Sequence, residues 1–180
     1  MKGIKMLTYD EMVENTREFY DELQIDIPDK YIGLAVKSLT MPQYAKEFND
    51  KFHKEIGDHR ALATVGDAVC EAYVMLKFYE DSLTADDLNK KKEVLQNKEL
   101  NNVGEKLLKD VLFARNNDLN SNNENENKKA YATAIEAVIG FISVIDKKHV
   151  FDDIDRIWNR FLNDDCRRAK WIIKNLKTNY

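Results

Sequence analysis

The stretch LATVGDAVCEAYVML, residues 62–76, decides the fold class of this chain. Apolar residues recur in it at the spacing of a helix, and it contains no proline. Gly66 and Asp67 nevertheless stand in its middle, and Glu71 follows one turn later. Because burial of an unpaired carboxylate is costly, an acid at this place calls for protonation, a basic partner or a metal ion.

The composition is that of one soluble globular domain. The chain has 180 residues, of which 43% are hydrophobic and 33% charged. Two prolines and six glycines interrupt it, and its longer apolar patterns have period 3.6 rather than 2, which predicts an all-α fold. Neither end carries an apolar run typical of a signal peptide or a membrane span, so we expect a cytoplasmic protein without a membrane partner.

Charge and cysteine content exclude some classes of function. The formal net charge of -4 argues against a protein that coats nucleic acid by bulk electrostatics. A nuclease is still allowed, since a metal-dependent enzyme needs clustered carboxylates and a local basic strip. Cys70 and Cys166 form no zinc pattern, and Cys70 is expected to be a reduced, buried thiol. His59, just before the quoted stretch, is expected to be ordinary polar surface.

Capping residues and prolines divide the chain into helices. Thr8 and Glu11 form a capping box that starts the first helix, and Pro42 is expected to end a short one. NNDLNSNNENEN has seven asparagines in twelve residues and is expected to form a mobile surface loop. The predicted helices cover about 8–23, 31–39, 60–79, 100–111, 129–145, 150–162 and 165–177, with the loop at 116–127.

A second acid stands in the helix that follows the loop. Glu136 shares a helical stripe with small residues, among them Gly140, and small residues let another helix backbone approach closely. If that neighbour is the helix of Asp67, the two carboxylates converge, and such a pair suits Mg²⁺. A single acid in a helix is most often a surface residue or half of an ion pair, but two acids framed by small residues favour a metal site.

These residues resemble the motifs of the ribonuclease III family. GDAVCE, residues 66–71, is similar to the signature helix of that family. IEAVIG, residues 135–140, is similar to its second motif, in which a glutamate precedes Ala-Leu/Val-Ile-Gly. SLTMPQYAKE, residues 38–47, resembles a Leu-Thr-His-Pro-Ser-Tyr element. The motifs occur in the family order, and the resemblance runs over about 34–162.

Two positions favour the compact Mini-III branch of the family. The main family has a glutamate four residues before the signature aspartate and an aspartate three residues before the second glutamate. Here these positions are Ala63 and Thr133, and Mini-III has alanine and threonine at the same two places. Mini-III also carries an Arg-Asn pair before a polar loop, which Arg115 and Asn116 resemble.

The resemblance implies an all-α ribonuclease III endonuclease domain fold that forms a homodimer. We expect one domain over 1–180, with the core that carries the resemblance at about 34–162, an N-terminal helical extension at about 1–33 that the compact branch generally lacks, a C-terminal helix at about 163–180 and no appended double-stranded-RNA-binding domain. The implied activity is metal-dependent endonucleolytic cleavage of double-stranded or structured RNA, as in ribosomal RNA maturation. The alternative is a catalytically inactive protein of the same fold that binds RNA or a ribonucleoprotein.

The resemblance also assigns roles to individual residues. Asp67 and Glu136 would be the catalytic residues that hold Mg²⁺, for which Mn²⁺ substitutes, and Glu71 would support the site. The candidate RNA contacts are Arg115, Lys128 and Lys129, each of which is otherwise a solvated surface residue. The basic C-terminal helix is expected first to pack on the domain and only second to contact RNA or a partner.

Overall fold

The computed structural model describes residues 6–79, 84–92, 97–115 and 124–163. This part of the chain is helical and holds no strand, only an isolated bridge between Thr40 and Phe113, so the predicted all-α class is confirmed. A 3-10 turn, Asp29–Tyr31, precedes the second helix. The helices are α1 Tyr9–Glu22, α2 Ile32–Ser38, α3 Pro42–Phe52, α4 Arg60–Phe78, α5 Ala85–Lys92, α6 Asn97–Leu108, α7 Glu124–Ile145 and α8 Val150–Asn163.

The long helix α7 forms the centre of the core, with α4 and α6 packed along it. The predicted helix at 129–145 is confirmed, but α7 begins earlier, at Glu124, so the last residues of the predicted loop are helical. The remainder of that loop, 116–123, lies outside the described residues. The almost completely buried residues of α7 are Ala132, Ala134, Ile135, Ala137, Val138, Ile139, Phe141 and Ile142.

The N-terminal helix shares this core. Thr8 and Glu11 form the predicted capping box at the start of α1. Tyr20 of α1 is completely buried; its hydroxyl is 2.6 Å from the Ser38 hydroxyl, and its ring centroid is 4.9 Å from that of Phe141 in α7. The segment that the sequence sets apart as an N-terminal extension therefore packs against α2 and α7.

Helix α3 is not predicted from the sequence. The short helix predicted at 31–39 is confirmed as α2 and ends before Pro42, but Pro42 is also the first residue of α3, a position where its fixed φ and missing N–H are tolerated. The apolar face of α3 buries Tyr44 and Phe48. The helix ends at Phe52, and His53 after it has a left-handed φ of 50°, which stops the helix.

The C-terminal part of the described chain is α8, which confirms the helix predicted at 150–162. The further helix predicted at 165–177 lies outside the described residues. Within the ranges that the structure describes, no helix has the length and apolar character needed to cross a membrane.

Candidate active site

Helices α4 and α7 touch backbone to backbone at two glycines. A Cβ atom on Gly66 would lie 1.7 Å from the carbonyl oxygen of Glu136, and one on Gly140 would lie 2.0 Å from the carbonyl oxygen of Leu62. Side chains do not tolerate such distances, so only glycine fits at either position. The expectation that small residues around Glu136 admit a neighbouring helix is confirmed, and that neighbour is α4.

This contact brings the two candidate metal ligands together. Asp67 directly follows Gly66, and Gly66 lies against the backbone of Glu136. Burial, and then repulsion from the Asp67 carboxylate, raise the pKa of the Glu136 carboxyl to about 7. In the described part of the chain neither of these two carboxylates takes part in a hydrogen bond or an ion pair. They therefore form a pair of acids that the helix contact brings together, and neither is paired with a basic side chain of the described residues.

The exposure of the acids differs from the expectation. The sequence places Asp67 and Glu71 on a buried face of their helix, but both side chains are exposed. Glu136 is half-buried, as expected for an acid that faces a neighbouring helix. The prediction was wrong for the first two because the buried face of α4 lies beside them and consists of Leu62, Ala63, Gly66, Cys70, Tyr73 and Val74.

The pair fits Mg²⁺ by the chemistry of its donors. Mg²⁺ is usually bound through one or two carboxylates and keeps several waters. A divalent cation would also offset the repulsion that raises the pKa of Glu136. Among the described residues no three acidic, histidine or cysteine side chains are placed to hold one metal ion, so Glu71 does not join Asp67 and Glu136 as a third ligand.

Cys70, to which the sequence analysis assigns no function, lies next to the acid pair. Burial raises the pKa of its thiol, and the Glu136 and Asp67 carboxylates raise it further. The thiol is therefore protonated and buried, as expected for a structural cysteine. The helical spacing of Asp67 and Cys70, three residues apart, is the signal by which this neighbour could have been found.

The candidate RNA contacts lie in different surroundings. The Arg115 guanidinium is half-buried, and its Nη1 donates a hydrogen bond of 2.7 Å to Oε1 of Glu47 in α3. Lys129 is exposed on α7. Lys128 belongs to the same helix, but its side chain lies outside what the structure describes. The RNA-binding role of all three stays a prediction.

An apolar stripe on α4 faces solvent. It consists of exposed Val65, Ala72 and Leu76 and half-buried Val69, which also packs against the core, and exposed Tyr79 follows just after the helix ends. These residues are spaced four and three positions apart, as in helices that pair with each other. Leu76 is 68% exposed and Tyr79 is 58% exposed. Because Asp67 and Val69 are two positions apart, they point about 160° away from each other. This α4 stripe and the acid pair thus lie on different sides of the helix.

Comparisons with known proteins show which fold this helical arrangement is similar to. Residues 60–147 match the family model of the Ribonuclease III domain, and the match contains both Asp67 and Glu136. The crystal structure of the nuclease domain of ribonuclease III from Campylobacter jejuni is similar, with 21% sequence identity and a TM-score of 0.54 over 93% of this chain and 98% of that chain. No curated protein sequence matches significantly. The chain has the fold of a ribonuclease III nuclease domain.

Proposed function

From a chain with the ribonuclease III nuclease-domain fold, we propose a divalent-metal-dependent endoribonuclease that cleaves double-stranded or structured RNA. The observation that carries the proposal is the contact of Gly66 with the backbone of Glu136, which sets Asp67 beside Glu136. This acid pair lies inside the stretch that matches the ribonuclease III domain. Paired carboxylates on rigid helices suit phosphodiester hydrolysis with a metal ion.

Asp67 and Glu136 hold Mg²⁺ in this proposal, and Mn²⁺ substitutes for it. When bound, the ion lowers the pKa of a water and offsets charge that develops on the phosphodiester. Exposed Asp67 presents its carboxylate on the side from which a large substrate approaches, and half-buried Glu136 anchors the site from the core. Glu71, one turn after Asp67 on α4, orients water at the site.

The proposed active form is a homodimer, supported by the α4 stripe. Large aliphatic and aromatic side chains rarely form a continuous exposed patch on a monomer, and such patches mark interaction sites. Paired across a two-fold axis, the α4 stripes of two copies would cover each other. Two acid pairs related by that axis would then cut the two strands of one duplex.

Contacts with the RNA backbone are assigned to Arg115, Lys128 and Lys129. Guanidinium and ammonium groups bind phosphate by charge-assisted hydrogen bonds. Arg115 donates to Glu47, and a phosphate would compete with that carboxylate for the guanidinium. Exposed Lys129 stands on the same helix as Glu136, which places a cation on the helix of the acid pair.

Ala63 and Thr133 support an assignment to the Mini-III branch, and with it ribosomal RNA maturation in the cytoplasm. Ala63 is buried in α4, one turn before Asp67, and Thr133 is half-buried in α7. Neither position supplies a carboxylate, so the proposed site has fewer acids than that of the main family. A site of two carboxylates suits one metal ion with several water ligands.

The second candidate function is RNA or ribonucleoprotein binding without catalysis. It is favoured by one observation, that no third acid among the described residues joins Asp67 and Glu136. Incubation of the purified chain with an end-labelled RNA duplex and Mg²⁺, with and without chelator, separates the two functions. Metal-dependent shortening of the labelled RNA supports the nuclease. Binding of several structured RNAs without shortening supports the second candidate.

A further inference from the structure

A separate cleft of about 370 Å³ lies between α1, α2 and the segment 53–59 that joins α3 to α4. This volume is in the range of small-molecule sites, about 300–1,000 Å³. None of the acids and basic residues of the proposed nuclease site lines it. The residues that line it are Tyr9, Gly33, Val36, Lys37, Lys54, Glu55, Ile56 and Gly57.

Two lysines give the cleft a positive charge. The side chain of Lys37 lies across Gly57: the point where a Cβ of Gly57 would stand is 3.0 Å from Cε and 3.3 Å from Nζ of Lys37. The Lys54 ammonium lies 5.6 Å from the ring centroid of Tyr9. Neither lysine forms an ion pair with any residue in the described ranges. Glu55 is the one acid in the lining, so the lining carries one net positive charge.

The wall of the cleft is fixed by hydrogen bonds rather than free to adapt. Nδ2 of Asn49 donates to the Ile56 carbonyl at 2.9 Å, and the Ile56 amide donates to Oδ1 of Asn49 at 2.8 Å. The His59 amide donates to the Thr40 carbonyl at 3.0 Å. A site that is already formed loses less conformational entropy when it binds a ligand.

The apolar part of the lining suits a flat ring. Val36 is buried, and Ile56 and Tyr9 are half-buried. The Tyr9 hydroxyl lies beside α2, 3.5 Å from where a Cβ of Gly33 would stand. Bases bind sequence-independently on aromatic rings beside cations, because every base has a π face.

We propose that this cleft binds a nucleotide. Its phosphate pairs with the ammonium groups of Lys37 and Lys54, and its base lies on Tyr9 and Ile56. Exposed Glu55 accepts hydrogen bonds from the ribose hydroxyls. This role accounts for an acidic residue in the lining of a cleft that binds an anion. The nucleotide is either free in solution or a unit of a single-stranded RNA, because both present the same groups. The proposal does not depend on the proposed nuclease function.

Calorimetric titration of the full chain with AMP, and separately with a short unstructured RNA, tests the proposal. Chelator is present throughout, so that no metal at the acid pair contributes. We expect Lys37→Ala and Lys54→Ala each to weaken binding about tenfold or more, because each removes a charge-assisted contact with phosphate. The matched control is Lys51→Ala, which removes an exposed lysine of α3 that does not line the cleft.

Tyr9→Leu separates a nucleotide site from a site for any anion. It should weaken the binding of AMP much more than the binding of inorganic phosphate, because the base contacts the ring whereas phosphate contacts the lysines, of which only Lys54 lies beside the ring. Binding of AMP supports a free nucleotide, and binding of the RNA alone supports a strand. No binding of either probe, or binding that Lys37→Ala and Lys54→Ala leave unchanged, overturns the proposal.

Discussion

Gly66 of α4 and Glu136 of α7 are in backbone contact, so close that a Cβ on Gly66 would lie 1.7 Å from the Glu136 carbonyl oxygen. The contact joins the two longest helices of the described core, and Asp67 follows Gly66 directly. The packing of the core and the position of the acid pair therefore have one common cause. A change at Gly66 must affect both.

Gly66→Ala should lower the free energy of unfolding by about 2 kcal/mol or more, since the new methyl group meets backbone that cannot move aside. Gly140→Ala should act in the same direction, because its Cβ would meet the Leu62 carbonyl oxygen. Denaturant unfolding followed by circular dichroism measures both changes.

The matched control is Gly33→Ala in α2, whose Cβ would make an ordinary contact of 3.5 Å with the Tyr9 hydroxyl. This substitution should not lower the free energy of unfolding and should raise it by up to about 1 kcal/mol, because alanine is the better helix former. Equal stability of the Gly66 variant and the wild-type chain would contradict the helix contact.

The sequence predicts the helices of the site well but their environment less well. Period 3.6 and the small residues beside Glu136 are enough to predict α4, most of α7 and a close helix neighbour for Glu136, but not that this neighbour is α4. Periodicity cannot tell whether an apolar face is covered within one chain, and so it does not predict the exposure of Asp67 or of the α4 stripe. Pro42 could end one helix or begin the next, and only the packing of Tyr44 and Phe48 decides for α3.

His59 is a second residue whose degree of burial the sequence does not reveal. The sequence suggests a polar surface histidine, but the side chain is 3% exposed and its Nδ1 has no hydrogen-bond partner among the described residues. Burial, and more weakly Arg60, lower its pKa to about 4, against the opposing effect of Asp58. The His59 amide bonds to Thr40, which is remote in sequence, so no local pattern reveals this burial.

Stability should therefore depend on pH through His59. Between pH 6.5 and pH 4 the unfolded chain binds a proton at this residue that the folded chain does not, so the free energy of unfolding falls as the pH is lowered. Through His59, the free energy of unfolding should fall by about 2 kcal/mol between pH 7 and pH 4.5. The raised pKa of Glu136 acts in the opposite sense, and the effect of His59 must be measured as a difference between variants.

Denaturant unfolding of His59→Gln and wild type at pH 7 and pH 4.5 measures this difference. The variant should lose less stability than wild type over this range. His53→Asn is the control, since His53 is exposed and asparagine tolerates its left-handed backbone. The same pH dependence in His59→Gln and wild type would show that His59 is not buried in its neutral form.

Because the α4 stripe is the proposed dimer interface, one charge added to it should dissociate the dimer. Leu76→Asp places a carboxylate in the proposed interface, where it would lose water without gaining a partner, and should shift the chain to monomers at micromolar concentration. Analytical ultracentrifugation measures the shift. Thr64→Asp adds the same charge to an exposed position of α4 outside the stripe and should leave the dimer intact. A monomeric wild-type chain would rule out the proposed interface.

Removal of the Arg115 side chain should lower the affinity for RNA and leave the stability of the fold almost unchanged. Arg115→Ala should weaken duplex binding and reduce the slope of log affinity against log salt by about 1, as for the removal of one phosphate contact. The free energy of unfolding should fall by less than about 1 kcal/mol, since partly exposed ion pairs contribute little.

Arg17→Ala is the matched control, because Arg17 forms a similar exposed pair with Asp29. RNA affinity should be unchanged in this variant, and electrophoretic mobility shift at several salt concentrations measures it. An unchanged salt dependence in Arg115→Ala would remove Arg115 from the RNA interface.

The most direct test of the acid pair is the initial rate of duplex RNA cleavage in Mg²⁺ for wild type, Asp67→Asn and Glu136→Gln. Glu105→Gln, which neutralises an exposed glutamate of α6, is the control. We predict that wild type and the control cleave the duplex and that chelator abolishes this cleavage. In Asp67→Asn and Glu136→Gln the initial rate should fall at least about a hundredfold, while the fold and the dimer persist. Cleavage by Asp67→Asn or Glu136→Gln at the wild-type rate would contradict the account.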